Sequence, residues 1–155
     1  MVLRSLFIVA FLAGCSTKYQ EMGFSGGVSA QQMTADTFRI VARGNGYTDT
    51  TTIRDFAMLK AAEATRQSGG THFILIGGED ASRVSQIVMP GSARTTFSGN
   101  TASTTYNPAE SIPVFKPGED MYIRVLTLKP KEVTPEGAIA AEEIIRFVGK
   151  RIDRG

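Results

Sequence analysis

Residues 37–43 alternate, with Phe38, Ile40 and Ala42 on one side and Arg39 and Arg43 on the other. A period of two predicts a half-buried strand, which Gly44-Asn45-Gly46 ends with turn chemistry. From Thr48 to Ser68 the spacing becomes helical, and Ile53, Phe56, Ala57, Lys60, Ala61 and Ala64 trace one face. Lys60 is the single charge on that face, and its stem can lie along apolar surface. Thr52 with Asp55 approximates a capping box, and Gly69-Gly70 supplies a stop. His72-Phe73-Ile74-Leu75-Ile76 is then a continuous apolar run, expected for a central strand, closed by Gly77-Gly78-Glu79-Asp80. Strand, helix and strand on short links suggest a βαβ-like unit whose pairing sense stays open.

A further strand is expected over 83–89, from Val84, Ile87, Val88 and Met89. Residues 90–111 differ in kind: Ser, Thr, Gly, Asn and Ala dominate, with only Phe97 and Tyr106 as aromatics. Such a stretch buries too little surface to offset its ordering entropy, so a mobile loop is expected. Residues 121–128 form a third clear strand, ended by Lys129-Pro130. Thr134 and Pro135 suit the N-cap and first turn of a last helix. Its buried stripe is Ala141, Ile144, Ile145, Val148 and Ile152, with Glu142 and Arg146 paired on the wet side. The class expected is α+β: a small sheet of three to five strands carrying two helices on one face, with a long Ser/Thr-rich loop. No internal repeat stands out.

The N-terminus has its own pattern. Arg4 precedes the unbroken apolar run Leu6-Phe7-Ile8-Val9-Ala10-Phe11-Leu12, and Ala13-Gly14-Cys15 follows. A basic start, a short apolar core and small residues before a cut describe an export signal. The run is too short for a stable membrane-crossing helix, which takes roughly 20 residues. Leu12-Ala13-Gly14-Cys15 resembles the bacterial lipobox, which implies cleavage between Gly14 and Cys15 and a diacylglycerol thioether on Cys15. Ala13 and Gly14 fit a tight protease groove, and a thiolate is the nucleophile such a bond needs. Two or more acyl chains, at about 0.8 kcal/mol per buried CH₂, give stable attachment. Residue 16 is Ser rather than the Asp of an inner-membrane retention signal, so the periplasmic face of the outer membrane is the expected location. The chain then divides into a signal peptide (1–14), a lipidated tether (15–34) and one α+β domain (35–155). Tyr19 and Phe24 are expected to lie against the domain as it starts.

Composition narrows the chemistry. Seventeen Lys+Arg against fifteen Asp+Glu give +2, with no clustered basic face of the kind nucleic-acid binding needs. The single cysteine forbids an internal disulfide, and one histidine with no tryptophan leaves no cofactor or metal expected. No nucleophile elbow, phosphate loop or dinucleotide fingerprint is present, so no catalytic residue is assigned. The candidates for chemistry are the acid pairs Glu79-Asp80 and Glu119-Asp120, and His72. Carboxylates brought together in a cleft can do acid–base work, although adjacent acids in turns are usually solvated. Glu63 reads as a member of a surface ion pair with Lys60 or Arg66, or as a link to a neighbouring strand.

Several stretches together resemble a family of small proteobacterial lipoproteins of unassigned molecular role. They are the lipobox, Tyr19 followed by Gly26-Gly27, Gly44-Asn45, the run Phe56-Ala57-Met58-Leu59-Lys60-Ala61-Ala62-Glu63 leading into His72-Phe73, and Lys116-Pro117-Gly118. The resemblance implies an envelope lipoprotein with one α+β domain, and adds location without chemistry. The leading expectation is a non-catalytic protein that binds or scaffolds an envelope protein at the membrane. The alternatives are a small-ligand or envelope-stress sensor gated by 90–111, and an envelope hydrolase using Glu79, Asp80 or His72.

Overall fold

The computed structural model describes residues 16–152. The expected export signal and the expected cleavage and lipidation positions, Gly14 and Cys15, lie outside the described residues. Within this span are nine strands and two helices, an α+β architecture richer in strand than in helix. The strands are β1 (Gly27–Gln32), β2 (Thr37–Arg43), β3 (His72–Asp80), β4 (Arg83–Met89), β5 (Ser92–Ser98), β6 (Thr101–Asn107), β7 (Glu110–Lys116), β8 (Gly118–Leu126) and β9 (Ile139–Ala140). The helices are α1 (Thr50–Gln67) and α2 (Ala141–Phe147).

Five strands form one sheet in the order β1-β2-β8-β3-β9. Both β2 and β3 run antiparallel to β8, so they are parallel to each other with β8 between them. The expected strand–helix–strand unit is therefore present, but split by a strand from much later in the chain. β1 falls inside the segment read as a tether: Val28 and Ala30 lie opposite Ala42 and Ile40, and Val28 is buried.

Both helices cover one face. Phe38, Ile40, Ala42, Phe73, Met121 and Ile123 point towards Ile53, Phe56, Ala57, Ala61, Ala62 and Ala64 of α1. The alanines leave no bulk between helix and sheet, which lets the backbones approach closely. Lys60 keeps its stem against this surface and its ammonium on Glu21. The N-cap is Asp49, whose carboxylate accepts from Thr52 N–H at 2.9 Å, so Thr52 is the capped rather than the capping residue. At the other end Gly69 takes a left-handed φ of 82°. Gly70 is needed for space: a Cβ there would stand 2.2 Å from Val125 Cγ1.

The last helix starts later than expected. Thr134 and Pro135 sit in irregular chain, and Ala140 is the N-cap. Ala141 and Val148 are nevertheless buried, with Ile144, Ile145 and Ile152 packed on the core, so the apolar stripe is as expected. Glu142 reaches Arg66 at 3.9 Å, and Arg146 lies over the Phe147 ring. Arg151 docks on Asp55 of α1 at 2.8 Å.

The largest departure is at 90–111. Instead of a mobile loop these residues form β5, β6 and the beginning of β7. Pairing runs without insertion from Gly77↔Tyr122 to Ser98↔Thr101, so β3 to β8 is one long hairpin. Its sheet-bound base has a bulge between Leu75 and Gly77. Its tip is the two-residue turn Gly99-Asn100, with Gly99 at φ 58°. A turn of this length needs positive φ at its first central residue when the second is not left-handed, and glycine supplies it. Every residue of β5 and β6 is exposed, as the composition predicts. Cross-strand pairs and a ladder of backbone hydrogen bonds nevertheless order a chain with no core beneath it.

Candidate functional site

Beyond the five-stranded sheet, β4 to β7 form an arm of two strands. From Arg83 to Ser98 it extends about 50 Å at roughly 3.3 Å per residue. Val84, Ile87, Val88, Met89, Ile112 and Phe115 are exposed near its base, and Phe97 (79%) and Tyr106 (69%) near its tip. Among the described residues neither long edge is paired: β5 bonds to β6, and β4 to β7. β9 covers β3 only at His72 and Phe73, so the free edge begins at Ile74. Unpaired edges present rows of N–H and C=O groups that template another strand. An isolated two-stranded ribbon is marginal in water, which gives such edges a physical reason to be covered.

The tip is two-sided. The register places Ala93, Thr95, Phe97, Ala102, Thr104 and Tyr106 on one face, with no charge among them. Ser92, Arg94, Thr96, Ser98, Thr101, Ser103, Thr105 and Asn107 make the other face. Thr95 and Thr104 join hydroxyls at 2.9 Å on the first face, and Asn107 donates to Ser92 Oγ at 3.4 Å on the second.

Where the arm meets the body there is a cleft of about 530 Å³. Asn45, Tyr47 and Thr48 line one side, and Ile87, Val114 and Phe115 the other. Tyr47 is 78% exposed at its rim. Asn45 and Thr48 are fixed by a local network, with Asn45 Oδ1 accepting from Thr48 Oγ1 at 3.0 Å and Tyr47 N–H at 2.9 Å.

The acid pairs singled out in the sequence do come together. Glu79 lies opposite Asp120 and Asp80 opposite Glu119, at the neck between sheet and arm. The surroundings of Asp120 and Asp80 favour the charged form. Asp120, 2% exposed, accepts from Arg39 at 2.6 Å and from Arg43 at 2.5 Å. Burial pushes its carboxyl up, but the bonds and charges of Arg43 and Arg39 outweigh this and hold it below the usual carboxylate range. Asp80 is also held low, by hydrogen bonds from the Ser82 hydroxyl and N–H. Glu119 lies 3.5 Å from Arg54 of α1. A general acid needs its affinity for the proton raised, the opposite of what Asp120 and Asp80 show.

His72 stands at the other end of β3, on the order of 20 Å away along the strand. Its Nδ1 contacts Thr71 Oγ1 at 2.9 Å, a framework position. The three side chains of the hydrolase expectation are therefore not gathered into one site. Glu63 is tied to the N-terminal segment rather than to a neighbouring strand: Tyr19 Oη donates to its Oε2 at 2.5 Å. Phe24 does not join the domain and is fully exposed. Among the described residues no group of three or more His, Cys, Asp or Glu could hold a metal, and no helix is long and apolar enough to cross a membrane.

What the described residues offer is an αβ body carrying a long, exposed β-ribbon. Comparison with known protein families, characterised proteins and solved structures yields no match for this chain.

Proposed function

We propose that this chain is an exported lipoprotein, anchored through Cys15 at the periplasmic face of the outer membrane, whose non-catalytic body holds the β-ribbon out to a protein partner. The observation that carries the binding role is the arm itself, with two unpaired edges and exposed aromatic and aliphatic side chains over its whole length. Edge strands bind extended partners through main-chain hydrogen bonds, with alternate side chains giving selectivity.

The anchoring part rests on the export pattern of residues 1–14 and the sequence Leu12-Ala13-Gly14-Cys15. Chain geometry after the anchor is compatible with it. Thr17 is buried, its N–H bonds to Thr48 Oγ1 at 2.8 Å, and its hydroxyl donates to Ser25 O at 3.0 Å. A lipid on Cys15 would thus hold the body close to the bilayer, with no slack tether between.

Metabolic labelling with palmitate and membrane fractionation test the anchor. The natural chain is expected in the membrane fraction with label, and Cys15→Ser in the soluble fraction without it. Removal of residues 92–107 is expected to leave membrane attachment intact and abolish co-purification of the partner. An unlabelled natural chain would refute the anchor. A partner retained after loss of the arm tip would refute the ribbon's role.

A second reading is favoured by the cleft between Tyr47 and Val114. Apolar walls with a few fixed polar groups are the usual surroundings of a small ligand. Under that reading Ile87→Glu, which puts a charge on the wall, abolishes ligand-induced thermal stabilisation.

A further inference from the structure

Strands β5 and β6 are near-copies of each other. Ser92-Ala93-Arg94-Thr95-Thr96-Phe97-Ser98 and Thr101-Ala102-Ser103-Thr104-Thr105-Tyr106-Asn107 share a hydroxyl residue, then Ala, a variable position, Thr-Thr, an aromatic ring and a small polar residue. Pairing is centred on this likeness. Thr95 lies opposite Thr104, Ala93 opposite Tyr106, and Phe97 opposite Ala102, so each ring faces a small residue and the central threonines meet. The ribbon therefore has a local pseudo-twofold axis through Thr95 and Thr104. Its two outer edges carry almost the same pattern as the inner edges that already pair.

From this we propose that the protein covering the arm tip is a second copy of the chain. The outer edge of β6 receives the outer edge of β5 from the next copy in the register used within the hairpin. Thr104 then meets Thr95 of the neighbour, and Tyr106 and Phe97 again face Ala93 and Ala102. No like charges are opposed, because β6 has no charge and Arg94 of β5 falls opposite Thr105. The contact joins two different edges, so it is heterologous. Each added copy leaves one edge free at either end, and the series closes only as a ring. In such an assembly the face bearing Ala93, Phe97, Ala102 and Tyr106 becomes a continuous apolar band, and the Ser/Thr face a continuous polar one. The inference rests on the ribbon-binding reading above and specifies its partner.

The test is cross-linking of the full chain in its own membranes. Thr95→Cys and Thr104→Cys are made singly in differently tagged copies, and a short bismaleimide is applied to each alone and to both together. Residues opposed on neighbouring antiparallel strands have Cβ atoms about 5 Å apart, within reach of the reagent. The mixed 95–104 dimer is expected to exceed either same-site dimer by about tenfold, since a heterologous contact opposes unlike sites. Both positions are on exposed strands, so the substitutions leave the core untouched. Same-site dimers equal to or above the mixed one would overturn the proposal, as would yields no higher than for Thr51→Cys on the exposed start of α1. A cross-linked band of another mass would identify a different protein partner. Protection of both cysteines from a water-soluble maleimide without any dimer would point to the bilayer. Either result overturns self-pairing. The chain with no introduced cysteine separates the two readings: cross-linking through Cys15 there would show an unmodified thiol and count against the anchor alone.

Discussion

The phenol of Tyr19 donates to Glu63 Oε2 at 2.5 Å while its ring meets Phe56 edge-on, with centroids 5.4 Å apart. One side chain thus closes the N-terminal segment onto α1 by two separable contacts. Tyr19→Phe retains the ring contact and loses the bond to the carboxylate, an expected cost of about 1–2 kcal/mol. Tyr19→Ala loses both and is expected to cost more, about 3 kcal/mol. Denaturant unfolding measures the difference, and faster proteolytic clipping ahead of β1 in Tyr19→Ala than in Tyr19→Phe would show that the ring holds the segment.

Asp120 gives the fold a dependence on acid. Its folded-state affinity for a proton is lowered, so the stabilisation is present above the unfolded carboxylate value of about 3.9 and is lost as pH falls below it. Stability of the natural chain should therefore decline from about pH 4 downward. Asp120→Asn leaves Arg39 and Arg43 without their shared carboxylate and is expected to cost about 1–3 kcal/mol at neutral pH. The variant should also show a flatter acid limb in equilibrium unfolding; equal limbs would show that other carboxylates set the acid response.

The two glycines after α1 answer to different constraints, which substitution can separate. Gly69→Ala meets no neighbour but must adopt a left-handed φ, an expected cost of about 1 kcal/mol. Gly70→Ala drives a methyl into Val125, an expected cost of about 1–3 kcal/mol. Adding Val125→Ala should recover part of the second loss and none of the first. Thermal unfolding of the four variants decides this.

Shortening the arm should cost the body nothing. With residues 92–107 replaced by a two-residue turn, unfolding free energy is expected within about 0.5 kcal/mol of the natural chain, as for changes outside any core. A larger loss would mean that the tip supports the sheet, which no buried contact of β5 or β6 suggests.

The pattern alone marks β2 to the residue, the whole of α1, the start of β3, most of β8 and the buried stripe of α2. Each of these has one face against the core, and burial of one face writes a period into the sequence. β1 left a weaker trace: only Val28 and Ala30 turn inward, among glycines and polar residues. The arm tip left none of that kind. With both faces exposed, β5 and β6 carry β-forming Thr, Phe and Tyr without an apolar stripe, and their composition resembles that of a loop. Their mutual likeness was a legible signal, but it becomes informative only when Thr95 is seen to lie opposite Thr104.

The sequence by itself determined the α+β class and the inward-facing residues of β2, α1 and α2, because these depend on neighbours within a turn or two of chain. Tertiary structure decided what lies between and beside them. It placed β8 between β2 and β3, put Asp120 on two arginines from β2, and set the four neck acids opposite one another. It also turned a Ser/Thr-rich stretch into a ribbon with free edges. Those outcomes come from pairing between distant segments, made through backbone hydrogen bonds that every residue but proline can form, so no local side-chain pattern marks which segments meet.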